Sequence, residues 1–164
     1  MGRARRPPFR VSVLDTDGRE LWPLVEDVAR IRAVPPVLLL ATAYAESNLN
    51  PRATREGAWP DVSYGLMQVT VQVAGGLGIG NGQDTWANRE AVRAAMYDRR
   101  TSLMAGAQVL WGAMSYATTG DWLEALCVYN AGTWGRSAEY REIYADNVAR
   151  YEAAIAWAKA ITAG

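Results

Sequence analysis

Glu46 is the first carboxylate after a long apolar run, VPPVLLLATAYAES (residues 34–47). Apart from Thr42 and Tyr44, the stretch ahead of it is aliphatic. Removing water from such a carboxyl disfavours its ionised form and raises its pKa. If the run is a helix, Glu46 falls in its last turn, where the negative end of the helix dipole pushes the same way. A carboxylic acid that stays protonated near neutral pH is what a leaving oxygen needs, for example that of a glycosidic bond. The competing reading is a carboxylate that only caps the chain or pairs with Arg52 or Arg55.

Two later blocks favour the chemical reading. In YGLMQV (64–69), Gly65 allows close backbone approach, Leu66 and Met67 pack, and Gln68 carries an amide that donates and accepts at once. Hydroxyls and N-acetyl groups of sugars need such bifunctional partners. YNAG (129–132) repeats the logic with Tyr129 and Asn130 at the end of a predicted helix, followed by small residues that let a substrate chain pass. A tyrosine on a helix is more often core, so each block alone is weak; the three in this order are a specific set. Paired-carboxylate sites place a second acid roughly 5–9.5 Å away. Glu56 and Asp61 are the candidates, and both also read as solvated loop charges.

The elements that must position these groups are mostly helical. Residues 1–10 read as a tail and 11–14 as a short extended segment. A helix is expected over 23–33, with Pro23 in its first turn and Leu24, Val28 and Ile31 on one face. Pro35 and Pro36 stop it and open a helix over 37–47, apolar all round and therefore central and buried. Residues 51–64 read as a polar loop, and Val69, Val71 and Val73 as a strand or a short helix. The glycines of 75–82 make a connector that lacks both the phosphate-loop and the dinucleotide pattern. Helices follow over 89–97, over 98–117 with Asp98 as cap, from a capping-box start at Asp121 and Glu124, and over 137–161, where Tyr140, Tyr144, Val148, Tyr151 and Ile155 form a stripe.

Composition narrows the chemistry further. The 164 residues are half apolar, with 17 basic and 17 acidic side chains and no net charge. That suits one globular domain burying roughly 70% of its unfolded surface. It also argues against a nucleic-acid partner, which calls for a basic stripe. The chain has no histidine and one cysteine, Cys127, so Ser-His and Cys-His nucleophiles and an internal disulfide are excluded. No metal or other cofactor is expected, and Cys127 reads as a core residue. The apolar run at 34–45 is shorter than the ~20 residues a membrane span needs. The Arg-rich start lacks the apolar stretch of a signal peptide. The expectation is a monomer made without an export signal.

With these residues in hand, the chain resembles a known family. ESNLNP (46–51), GLMQ (65–68) and YNAG (129–132) are similar to the three motifs of the soluble lytic transglycosylase domain, a bacterial and phage cell-wall-cleaving family related to goose-type lysozyme. Residues 97–125 are similar to the helix leading into its third motif, and the likeness covers roughly 34–151. It implies a mostly α, α+β lysozyme-like fold: a helical bundle around a buried central helix with a substrate cleft, filling 21–164 behind a tail and extended segment at 1–20. It implies peptidoglycan glycan strands as partner and Glu46 as the single acid/base. Ser47 would orient Glu46. Tyr64, Gly65, Met67 and Gln68 would line the subsite, and Tyr129 and Asn130 would face the glutamate and the muramic-acid ring. A tyrosine of a final family motif aligns with Asn147, so Tyr144 or Tyr151 would take its place. The implied reaction cuts the bond from N-acetylmuramic acid to N-acetylglucosamine without water and leaves a 1,6-anhydro ring. Two alternatives are a goose-type muramidase that hydrolyses the same bond with a second carboxylate, and a non-catalytic phage module of this fold. A phage lysis or virion enzyme, reaching the wall through a membrane lesion or from outside, would need no export signal.

Overall fold

The computed structural model describes residues 13–118 and 120–163. It is mostly helical, with one small sheet, as expected for a lysozyme-like domain. Helix α1 (Val13–Arg32) leads into α2 (Pro36–Ser47). A hairpin of β1 (Thr54–Glu56) and β2 (Val62–Tyr64) is extended by β3 (Val69–Thr70) into a three-stranded antiparallel sheet of order β1-β2-β3. Then come α3 (Val71–Gly76), α4 (Trp86–Met96), α5 (Arg99–Tyr116), α6 (Trp122–Ala131), a 3-10 turn (Gly132–Arg136), α7 (Ala138–Ile143) and α8 (Ala145–Thr162).

Helix α2 is the centre of the molecule. Pro36 lies in its first turn, where the missing N–H costs nothing, and Leu38 to Ala43 are all buried. It packs chiefly on α8 and α1. The helix ends because Asn48 turns left-handed (φ 51°) and sends its N–H back to the Tyr44 carbonyl at 2.9 Å. Asn tolerates that conformation better than most residues. Glu46 is thereby held in the final turn, at the edge of the core.

The first helix departs from the expectation. It starts at Val13, so residues 13–20 are part of the domain and neither a tail nor extended; residues 1–12 lie outside the described residues. Pro23 lies inside the helix. A proline there removes a hydrogen bond to the carbonyl four residues earlier, but Arg19 and Pro23 are both exposed, on the solvent side of the helix. Tertiary contacts hold the early turns: Trp157 Nε1 donates to Asp15 Oδ1 at 2.8 Å, and Gly18 packs directly under Ile161 and Trp157. The buried stripe is Leu21, Val25, Val28 and Ala29, and Ile31 is exposed.

Other boundaries sharpen in a similar way. The polar loop at 51–64 contains the hairpin. Val69 is a strand residue and Val71 begins a helix, so both readings of that segment hold, with Thr70 Oγ1 accepting the Val73 N–H. Helix α4 begins three residues before the expected start, capped by Thr85. The expected helix 137–161 is broken at Tyr144, whose backbone leaves helical space (φ −111°, ψ 40°) between α7 and α8. No single helix among the described residues is long and apolar enough to cross a membrane, and α1 and α2, which pass that test jointly, meet at a 117° bend.

Candidate active site

A small pocket of about 100 Å³ opens where the end of α2, the sheet and the end of α6 converge. Its walls are Glu46, Arg55, Asp61, Ser63, Gln68, Thr70, Tyr129 and Asn130. The three sequence blocks therefore meet in space, although more than eighty residues separate the first from the last.

The Glu46 carboxyl makes no hydrogen bond or ion pair among the described residues. Burial pushes its pKa up from 4.5 to about 7, against the opposing charges of Arg150 and Arg55. Desolvation wins because the cations stand off rather than pair. The result is a carboxyl poised to hold or release a proton near neutral pH, which is the property general acid–base work demands.

Gln68 is fixed from three directions. Its backbone is left-handed (φ 48°), a strained state for a residue with a side chain. Ser63 Oγ donates to its Oε1 at 2.9 Å, and its Nε2 donates to the carbonyls of Gly65 (3.0 Å) and Ala53 (3.2 Å). Gly65 makes the preceding turn at φ 84°, where a Cβ would strike the Met96 carbonyl. Tyr129 closes the arrangement by donating its hydroxyl to the Met67 carbonyl at 2.7 Å, which ties α6 to the turn after β2. Burial, followed by the Glu46 charge, holds the Tyr129 pKa far above its ordinary value, so its proton stays in place. Asn130 lines the pocket and donates to the Tyr140 hydroxyl at 2.9 Å.

Several expected roles fall elsewhere. Ser47 does not orient Glu46: its hydroxyl donates to the Ala43 carbonyl one turn back, at 2.9 Å, a common competing bond for serine in a helix. Met67 is fully buried against Gly106 and supports the site from below. Tyr64 is buried too; its ring meets Tyr97 edge-on and its hydroxyl donates to Glu56 at 3.4 Å. Glu56 is not a pocket residue. Side chains alternate across a strand, so Arg55, paired with Ser63, shares the pocket face with it, while Glu56 points the other way beside Tyr64. Asp61 does line the pocket.

Of the two candidate tyrosines, Tyr151 is the one beside Glu46. It is fully buried with the Arg150 guanidinium over its ring, and burial and the Glu46 charge push its pKa up against the opposing pull of Arg150. Tyr144 is partly exposed in an aromatic cluster with Trp134 and Tyr140, at ring separations of 5.7 and 5.2 Å. Ser63, Thr70 and Arg150 are new to the site, and Arg55, read from the sequence only as a possible ion-pair partner of Glu46, lines the pocket instead. The alternation of Arg55 with Thr54 and Glu56 was the available signal, but three-residue strands are too short for it to stand out. Among the described residues no group of His, Cys, Asp or Glu is placed to hold a metal ion.

The model of the transglycosylase SLT domain matches residues 23–148, which takes in all three blocks. The chain belongs to that family. Its activity is accordingly of the peptidoglycan lytic transglycosylase type, with peptidoglycan as the substrate. No curated protein matches the chain.

Proposed function

We propose that this protein cleaves the β-1,4 bond between N-acetylmuramic acid and N-acetylglucosamine without water, with Glu46 as its only acid/base. The observation that carries the proposal is a single buried, unpaired carboxyl, raised to about 7, in the pocket where the SLT-family motifs meet. Protonated Glu46 gives its proton to the glycosidic oxygen as the bond from muramic C1 breaks. The resulting carboxylate takes the proton of the muramic C6 hydroxyl, whose oxygen bonds to C1 and closes the 1,6-anhydro ring. Glu46 ends protonated again and no water is consumed. The attacking hydroxyl belongs to the same sugar, so it gains the large effective concentration of a tethered group. Gln68 and Asn130 line the path of the sugar hydroxyls and N-acetyl group. Tyr151, the buried phenol next to the carboxylate, steadies it after proton donation.

A second reading is hydrolysis, and the place of Asp61 on the pocket wall favours it. An exposed carboxylate there would hold a water for attack. Mass spectrometry of digested peptidoglycan separates the two. The first reading predicts anhydro-muropeptides, one water lighter than hydrolytic products, and Asp61→Asn within about threefold of wild type, far below the ~10²-fold or greater loss of a true general base. Reducing-end products together with a large loss in Asp61→Asn would establish hydrolysis instead.

A further inference from the structure

Two cations act on Glu46, and they are held differently. Arg150, on α8, lies over the Tyr151 ring with its guanidinium carbon 5.4 Å from the ring centre. Arg55, on β1, lines the pocket itself, and among the described residues it has no ion pair, ring contact or side-chain hydrogen bond. Asp61 shares the pocket wall without pairing with it. The strand register fixes its face: Arg55 stands opposite Ser63, whose hydroxyl holds Gln68. Its charge works against protonation of Glu46. A cleft built for proton delivery alone gains nothing from a cation there, so the arginine calls for a second partner.

The substrate offers one. Muramic acid carries a lactyl carboxyl, free or amide-linked to a peptide stem that has carboxylates of its own. A guanidinium presents a planar fork of donors that fits a carboxylate. We infer that Arg55 is a specificity determinant that binds a carboxylate on the muramic-acid side of the substrate, from the lactyl group or from the stem. This rests on the peptidoglycan reading above. Pairing with that carboxylate also offsets the arginine charge, so Glu46 is more fully protonated with substrate bound than in the free enzyme.

The test compares wild type, Arg55→Gln and Arg55→Lys on three walls: native peptidoglycan, the same material with its carboxylates coupled to methylamine, and glycan stripped of stems by an amidase. On native wall Arg55→Gln should lose about tenfold in kcat/KM, mostly through KM, as expected for one charge-assisted hydrogen bond. Arg55→Lys should recover part of that loss, because it keeps the charge without the fork. On the coupled wall, wild type should fall to the Arg55→Gln level. A gap that widens on stripped glycan, where the amidase frees lactyl carboxyls that are amides in stem-bearing muramic acid, assigns the lactyl carboxylate, and a gap that vanishes there assigns the stem. Because Arg55 is exposed, melting temperatures should match. Equal activity of Arg55→Gln and wild type on native wall, or a gap unchanged by coupling, overturns the inference. Failure of the peptidoglycan reading looks different: wild type would release fragments from none of the three.

Discussion

Two glutamates on core helices, Glu46 and Glu124, show how surroundings set the protonation of a carboxyl. Glu124 is only 8% exposed, yet it lies in the first turn of α6, where the positive end of the helix dipole favours negative charge. Its Oε2 accepts the Thr118 N–H at 2.6 Å, and hydrogen bonds from the Thr118 side chain and backbone hold its pKa below the ordinary range. Glu46 lies in the last turn of α2, where the dipole is reversed and no donor reaches it, and its pKa rises to about 7. Desolvation dominates at the deep carboxyl of Glu46, whereas at Glu124 the Thr118 hydrogen bonds outweigh it. Depth, helix end and hydrogen-bond satisfaction all differ, and together they separate a carboxylate held ionised from a carboxyl raised toward neutral pH.

The most severe loss should follow from removing the Glu46 proton. Glu46→Gln keeps the shape but has no proton to deliver, so wall-lysis rate should fall by ~10²-fold or more with the fold intact by circular dichroism. A variant that retained a tenth of the wild-type rate would remove Glu46 from its role.

The next effect is on stability. Between pH 4.5 and 7 the unfolded chain gives up the Glu46 proton while the folded chain keeps it. Folding stability should therefore fall as pH rises through that window and level off above it. The shift from 4.5 to about 7 corresponds to about 3 kcal/mol. Glu46→Gln, which never ionises, should match wild type near pH 4 and exceed it by up to that amount at pH 7.5. Urea denaturation at both pH values measures the difference, and a pH-independent gap would contradict the account.

A smaller loss is expected at the other carboxylate. Glu124→Ala leaves the Thr118 N–H without its acceptor and should cost ~1–3 kcal/mol in denaturant unfolding. Activity per folded molecule, assayed well below the melting temperature, should stay within about twofold. A large activity loss without destabilisation would blur the line between the two glutamates.

The division between what the sequence shows and what it hides follows element length. The twelve-residue α2 is apolar throughout, so its burial and the place of Glu46 at its end are readable. Gln68, Tyr129 and Asn130 stand out as polar groups among small and apolar neighbours, and the pocket brings them together. The hairpin hides in 51–64 because its strands are three residues long and rich in charge, and Arg55 and Ser63 are lost with it. Ser47 misleads because a hydroxyl next to a buried carboxyl can turn back onto its own helix. The early turns of α1 are invisible for a different reason: they are held by Asp15, Gly18 and Trp157, contacts that span the length of the chain, while Pro23 locally signals a start.

Whether Glu46 can donate a proton at neutral pH is read from its own titration. Carbon-13 NMR of glutamate-labelled protein, with the Glu46 resonance assigned by its absence in Glu46→Gln, follows that carboxyl alone. The midpoint should lie near 7. A midpoint near the ordinary 4.5 would mean that the carboxyl is ionised and paired at neutral pH, and the proton-donor role would fall.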